Sequence, residues 1–201
     1  MPLPMAEWPT GRVLSIQVGR VVPLMVGGRK RMSAIGKTPV AGPIKVGVLG
    51  LAGDEQADLS VHGGLSKAVY ALPSEHLPWW QAQRQLHGVT LFEEALAPGY
   101  LGENLSLHGV LEQELFIGDC LRCGEVVLRV TQPREPCGKF NAVMGYDLAA
   151  KDMVQSGRCG FYLAVDTPGV LQAGATFEVI AGPRAMGVLQ VLQQKARKHL
   201  L

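Results

Sequence analysis

Short apolar stretches of strand length alternate with turn-forming residues along most of the chain. Three of these stretches, each containing valine and leucine, cover residues 67–72, 126–131 and 160–165. The 25 glycines and 13 prolines are spread along the sequence, which indicates many turns between short strands. The pattern therefore predicts a mainly β domain with a few helices.

Three segments carry helix signals. Residues 74–86 begin with Ser74, a favourable N-cap residue, and residues 147–155 are followed closely by Gly157, which can end a helix. Residues 187–201 place apolar side chains among lysines and arginines, which predicts an amphipathic tail helix. The apolar face of this helix can dock on the chain's own core or on a second subunit, so a homodimer is one of two expectations.

Length and charge exclude several classes of protein. The 201 residues, 47% of them hydrophobic, suffice for one domain with a sizeable core. The 19 basic and 17 acidic residues nearly balance, which argues against nucleic acid as a partner, and the basic run at 29–31 is expected to be a solvated loop. No apolar run approaches a membrane span, and the amino terminus lacks a signal-peptide pattern. We expect a cytoplasmic protein with reduced cysteines and no membrane partner.

Cys137 is the first candidate for chemistry. It lies between the cations Arg134 and Lys139, directly after a predicted strand, and the flanking Pro136 and Gly138 favour an exposed loop. Nearby cations lower a thiol pKa by favouring the thiolate, which is the nucleophilic and metal-ligating form. The competing interpretation is a small buried hydrophobic residue, as most free cysteines are.

A second candidate is the compact loop that contains GDEQAD at 53–58 and VHGG at 61–64. Glycine pairs let the backbone approach a ligand and direct N–H groups at an anion, and His62 can donate, accept or ligate. A surface turn with a solvated histidine is the alternative for His62 alone.

The remaining cysteines are given structural interpretations. Cys120 and Cys123 have the CxxC spacing of a zinc site, but residues three apart on a strand point to opposite faces and cannot share a metal. Cys159 precedes the strand-like stretch at 160–165, so we expect it in the core or in a turn.

An ordered series of motifs resembles the MOSC family, the molybdenum cofactor sulfurase C-terminal domain proteins. The branch it resembles most includes bacterial 6-hydroxylaminopurine resistance proteins. The motifs are SAIGK at 33–37, GLAGDEQAD at 50–58, VHGG at 61–64, GENL at 102–105, IGD at 117–119 and QPREPC at 132–137. We assign residues 10–183 to this domain and residues 184–201 to a C-terminal helical tail.

The resemblance implies a β-barrel-like domain that binds the molybdenum cofactor, molybdopterin, with Cys137 as metal ligand and catalytic residue. Molybdenum itself is not readable from residue spacing, but a thiolate suits a soft metal, and a pterin phosphate needs cations and N–H donors. The residues expected to bind the cofactor are Lys37, His62, Gly63, Gly64, Glu103, Asn104, Arg134 and Lys139.

The activity implied by the resemblance is reduction of N-hydroxylated bases or related N-oxygenated compounds. No nicotinamide, flavin or iron–sulfur motif is present, so electrons are expected from a separate reductase. The first alternative is a cofactor carrier or sulfur-handling module without turnover. The second is a cysteine nucleophile with His62 as base. Pyridoxal phosphate is a less favoured alternative cofactor.

Overall fold

The computed structural model describes residues 9–57, 63–92 and 94–198. His62 and the rest of residues 58–62 lie outside the described residues. In the described ranges the chain forms thirteen strands and four α-helices. The strands are β1 (Thr10–Val18), β2 (Val22–Val26), β3 (Arg29–Ser33), β4 (Thr38–Pro39), β5 (Ile44–Gly47), β6 (Gly50–Leu51), β7 (Val69–Pro73), β8 (Leu105–His108), β9 (Cys120–Cys123), β10 (Val126–Pro133), β11 (Phe161–Thr167), β12 (Gly169–Leu171) and β13 (Thr176–Ile180). The helices are α1 (Leu77–Leu86), α2 (Gly138–Met144), α3 (Ala149–Ser156) and α4 (Val188–Lys198).

Seven strands close into a barrel. Their order is β13-β9-β10-β11-β7-β8-β1, and β1 pairs back onto β13. Neighbours are antiparallel except for the parallel pair β7 and β8, in which Ala71 is opposite Leu105. The predicted mainly β, barrel-like fold is confirmed. Closure leaves the seven strands without a free edge, which removes the aggregation hazard of an open sheet.

The apolar side chains form two clusters. One contains alternate residues of the barrel strands, such as Val13, Leu128 and Leu163, and these are almost fully buried. The other packs the helices against the barrel and includes Trp80 and Phe140, whose rings meet edge to face at 5.2 Å. The second cluster fixes α2, and with it the start of the helix next to Cys137.

Two predicted elements differ from the structure at their ends or in their type. Helix α1 begins at Leu77, because Ser74–His76 form a 3-10 turn before it, in which the Ser74 hydroxyl donates to the Glu75 carboxylate at 3.5 Å. The basic run at 29–31 is not a loop, since it lies in β3, paired with β2. Helix α2 was not predicted, because Gly138 at its first position reads as a loop residue.

The tail helix α4 packs its apolar face on the barrel of its own chain. Val188 and Leu192 are buried, and the amide of Val188 donates to the carbonyl of Leu115. Lys195 bonds to the Glu135 carboxylate and, at 3.1 Å, to Gln132 Oε1, which ties α4 to the segment before Cys137. None of the described helices has the length and apolar character required to cross a bilayer. The boundary at 183/184 and the homodimer stay predictions.

Candidate functional site

A cleft lies where the loops after β3 and β6 meet β7, β11 and the end of β10. It contains about 630 Å³ of space, part of it open to solvent. It is lined by Ser33, Ala34, Ile35, Lys37, Asp54, Glu55, Gln56, Ala57, Gly63, Lys67, Tyr70, Leu101, Gly102, Asn104, Arg134, Cys137, Lys139 and Tyr162. Four lysines and arginines face two carboxylates in this set, so the lining has a positive balance.

Cys137 lies in the connection between β10 and α2, partly exposed toward the cleft. Pro133 ends β10, and the extended backbone of Cys137, with φ −143° and ψ 164°, leads directly into the helix at Gly138. The predicted exposed loop is therefore a short strand-to-helix connection. A thiol on such a connection is held by the barrel on one side and by the helical cluster on the other.

Arg134 is buried, with only 4% of its surface exposed. Its guanidinium stacks over the rings of Phe140 at 4.7 Å and Tyr70 at 5.6 Å. Nη1 donates to the Glu135 carbonyl at 3.3 Å and lies 3.4 Å from the Met153 sulfur. None of the described carboxylates lies within ion-pair distance of it. A buried cation without a counter-charge is costly, so an anion in the cleft would be stabilised strongly here.

Lys37 has such a counter-charge. Its Nζ lies 2.5 Å from Asp54 Oδ1, and both side chains are almost fully buried. Asp54 also accepts hydrogen bonds from the Gly19 amide and from Asn104 Nδ2, each at 2.8 Å. Lys37, Asp54 and Asn104 therefore form a neutralised wall of the cleft. Asp54 was not singled out from the sequence, although it lies inside the motif at 53–58.

Glu103 does not line the cleft. Its carboxylate accepts hydrogen bonds from the amides of Gly99 and Leu101 and from the Ser106 hydroxyl. Burial raises its pKa, and these hydrogen bonds act in the opposite direction. Glu103 therefore braces the turn that presents Leu101 and Gly102 to the cleft.

The two glycines of the predicted anion cradle have different positions. Gly63 lines the cleft at φ 118°, and a Cβ there would lie 2.0 Å from Gln56 Oε1. Gly64 is not in the lining, and its amide donates to Gln56 Oε1 at 3.2 Å. Gln56 therefore occupies one of the N–H groups expected to meet an anion. His62 lies outside the described residues.

Two tyrosines and a lysine complete the lining and were not predicted. The rings of Tyr70 and Tyr162 are 5.6 Å apart, and Lys67 Nζ lies 5.6 Å from the Tyr162 ring centre. Burial raises the pKa of both phenols, so both stay protonated at neutral pH. Tyr162 could have been predicted from its position on an apolar strand next to β10, because the hydroxyl group of a tyrosine in such a strand needs a hydrogen-bond partner.

Lys139 lies at the edge of the cleft on α2. Its Nζ donates to the carbonyl of Met32 at 2.8 Å, which joins α2 to the end of β3.

The other three cysteines lie outside the cleft lining. Cys120 and Cys123 lie on β9, and burial raises the pKa of both thiols, that of Cys123 to about 11. Cys159 is fully buried in the helical cluster, as its core interpretation predicted.

The family profile of the MOSC domain matches residues 58–178. The chain therefore belongs to the MOSC domain family, which in general binds the molybdenum cofactor. Among curated proteins it is similar to the uncharacterized protein YflK of Bacillus subtilis, with 34% identity over 84% of this chain and 73% of that one. It is also similar to protein YiiM of Escherichia coli, with 39% identity over 74% of this chain and 64% of that one.

A protein of Gibberella moniliformis named reductase shares 32% identity over 86% of this chain, which corresponds to 30% of that protein. Among solved structures, YiiM of Geobacillus stearothermophilus matches with a TM-score of 0.72 and 29% identity, over 94% of this chain and 85% of that one. The likeness thus extends over nearly the whole chain.

Proposed function

We propose that this chain is a molybdenum-cofactor-dependent oxidoreductase that reduces N-hydroxylated bases or related N-oxygenated compounds. The observation that carries the proposal is the joint presence in one cleft of Cys137 and the buried Arg134, which has no carboxylate partner among the described residues. A thiol and an uncompensated cation suit a ligand that combines a soft metal with an anionic group.

The residues present fit the molybdenum cofactor in kind. Cys137 offers a sulfur ligand, and Arg134, Lys67 and Lys139 offer positive charge for a pterin phosphate. The charge of Lys37 is already balanced by Asp54, so we assign Lys37 to shaping the wall rather than to holding the phosphate.

In this assignment the protein binds and orients the cofactor and the substrate and protects them in the cleft. The bound cofactor would supply the two-electron chemistry. The overall change is R–NH–OH + 2 e⁻ + 2 H⁺ → R–NH₂ + H₂O, in which the N–O bond breaks and its oxygen leaves as water. Tyr162 offers an aromatic surface for a purine ring, and its protonated hydroxyl group makes the local environment polar without a negative charge.

The electron donor is proposed to be a separate reductase. The matched reductase of Gibberella moniliformis supports this, because most of its length lies outside the match and has room for donor domains. The substrate is proposed to be a small molecule that enters through the open side of the cleft. A cytoplasmic location is consistent with both proposals.

The ligand assignment is tested by Cys137→Ser, because an alkoxide is a far poorer ligand for a soft metal than a thiolate. We expect molybdenum content per chain and dye-driven reduction of 6-hydroxylaminopurine both to fall at least about tenfold, with the fold retained since the volume change is small. Cys120→Ser, which alters another partly exposed thiol on β9, is the matched control and should keep both. Full metal-dependent turnover by the Cys137 variant would show the assignment to be wrong.

The same preparations separate the alternatives. A molybdenum-loaded protein that passes no electrons from reduced dye to any N-hydroxylated base would favour the carrier. Turnover without molybdenum, blocked by alkylation of Cys137, would favour the cysteine nucleophile. Pyridoxal phosphate absorbance in place of molybdenum would favour that cofactor. In cells, the gene should restore 6-hydroxylaminopurine resistance only where molybdenum cofactor synthesis is intact.

A further inference from the structure

The β2–β3 hairpin carries a group of cations at the edge of the cleft. Its two strands form a sheet of their own, apart from the barrel, and turn at Gly27 and Gly28. Both glycines have positive φ, 54° and 74°, as a tight two-residue hairpin turn requires. Since a two-stranded ribbon is only marginally stable in isolation, its contact with α2 matters for its position.

The strand register shows which face of the hairpin is oriented toward the cleft. Ser33, the last residue of β3, is buried and lines the cleft. Residues two apart on a strand share a face, so Arg31 and Arg29 lie on the same face as Ser33. Their partners on that face are Leu24 and Val26.

An independent contact agrees with this orientation. A Cβ built on Gly138 would lie 3.8 Å from Cγ1 of Val26, so this face of the ribbon is turned toward the start of α2. On the opposite face, Met25 is 60% exposed. Arg31 and Arg29 thus lie along the hairpin that adjoins the cleft, with their backbones about 7 and about 14 Å from Ser33 at the usual rise per residue.

These cations are not neutralised by the described part of the chain. Neither Arg29 nor Arg31 has a described carboxylate within ion-pair distance, in contrast to Arg20, which pairs with Glu55 at 2.7 Å. A row of arginines that adjoins a binding cleft and has no carboxylate partner among the described residues attracts anionic ligands and suits phosphate geometry.

We propose that Arg29 and Arg31 bind the phosphate of the substrate, so that the preferred substrates are N-hydroxylated nucleotides rather than free bases. The inference rests on the proposed function. Arg134 lines the cleft together with Cys137, where the cofactor's own anionic group is assigned, whereas Arg29 and Arg31 are not part of the cleft lining and lie on the adjoining hairpin. A nucleotide has the matching layout, since its phosphate is one sugar away from the base that reacts.

The test compares 6-hydroxylaminopurine, its riboside and its 5′-monophosphate as substrates of the cofactor-loaded protein with reduced dye as donor. At low salt we expect kcat/KM for the monophosphate to exceed that for the riboside roughly tenfold, and the ratio to fall as salt screens the charges. Arg29→Glu/Arg31→Glu should reduce the ratio to about one. Arg12→Glu/Arg197→Glu changes net charge equally at exposed positions outside the cleft lining and should preserve the ratio.

A binding measurement gives a second readout that needs no turnover. Calorimetry with adenosine 5′-monophosphate and adenosine should show the same preference in the parent and its loss in the hairpin variant. Equal affinity for the two ligands, or equal loss in both double variants, would overturn the inference. If none of the three N-hydroxylated compounds is reduced, the proposed function fails, and the calorimetric comparison still decides the phosphate site. A hairpin variant that loses electron transfer from a protein donor while keeping the phosphate preference would instead assign this surface to an acidic protein.

Discussion

Arg134 and Glu103 are both buried ionisable side chains near the cleft, and they differ in what satisfies them. Three donors converge on the Glu103 carboxylate, from Gly99, Leu101 and Ser106. Arg134 has ring faces, one carbonyl and one sulfur instead. The first arrangement is complete without a ligand and therefore structural. The Arg134 side chain is stabilised most when an anion enters the cleft, which is why we assign it to ligand binding.

Glu103 should make stability depend on pH. Because burial raises its folded pKa above the unfolded value of about 4.3, the folded protein binds the proton more tightly. Its contribution is thus most favourable below the unfolded pKa and diminishes as pH rises through the folded pKa. Urea unfolding between pH 4 and pH 7 should show this decline in the parent, and Glu103→Gln should lack that part of the slope. Parallel pH profiles for the two proteins would contradict the prediction.

At the scale of secondary-structure elements, the residues that lead into β11 hold the end of β10 in place. Gly160 has φ 67°, its amide donates to Glu112 Oε1 at 2.6 Å, and its carbonyl accepts from the Arg134 amide at 3.2 Å. A Cβ on Gly160 would lie 2.3 Å from the Ala71 carbonyl oxygen in β7. The backbone of three barrel elements therefore converges on this glycine, and its lack of a side chain is required.

Gly160→Ala should destabilise the protein by about 2–5 kcal/mol, from backbone strain together with overpacking against β7. Gly174→Ala is the matched control, because Gly174 also has positive φ, 90°, but no atom within 4 Å of an added Cβ. It should lose only about 1 kcal/mol. Chemical denaturation of both variants checks this prediction. Equal losses of unfolding free energy would show that the contact with β7 does not add to the cost of the substitution.

For the whole molecule, the barrel and the helical cluster meet at the cleft, so a ligand bound there contacts both. Tyr70 and Tyr162 belong to barrel strands, whereas Cys137 and Lys139 lie at the start of a helix that packs in the second cluster. Cofactor binding should therefore stabilise the cooperative unit as a whole and not one loop.

The cofactor-loaded protein should unfold at a higher temperature than the same protein after cofactor removal. At a cofactor concentration about 100 times Kd the gain is about 2.7 kcal/mol, or roughly 5–10 °C for a chain of this size. In Arg134→Ala the gain should be smaller and should decline more steeply with salt. Arg158→Ala is the control, since Arg158 also stacks on an aromatic ring, Trp79 at 4.9 Å, but does not line the cleft. Equal gains in both variants across a salt series would remove Arg134 from the binding site.

Local sequence determined much of the architecture. The stretches at 126–131 and 160–165 became β10 and β11, and Gly157 ends α3 in the left-handed conformation that its lack of a side chain permits. These features depend on backbone preference and on burial patterns within a few residues, so they can be read along the chain. The proximity of Arg134 and Lys139 to Cys137 is local in the same sense.

Only the tertiary structure decided which charges remain available in the cleft. Lys37 and Asp54 are 17 positions apart, and the packing of the segment before β4 against the loop after β6 brings them to 2.5 Å, where they neutralise each other. Glu103 and Asn104 are adjacent in sequence, yet one lies behind the wall and the other lines the cleft. The net charge and accessibility of a side chain depend on partners supplied by distant segments, and no local pattern encodes those partners. The sequence by itself therefore determined the fold class and singled out Cys137 as a candidate, and the tertiary structure decided which cations can meet a ligand.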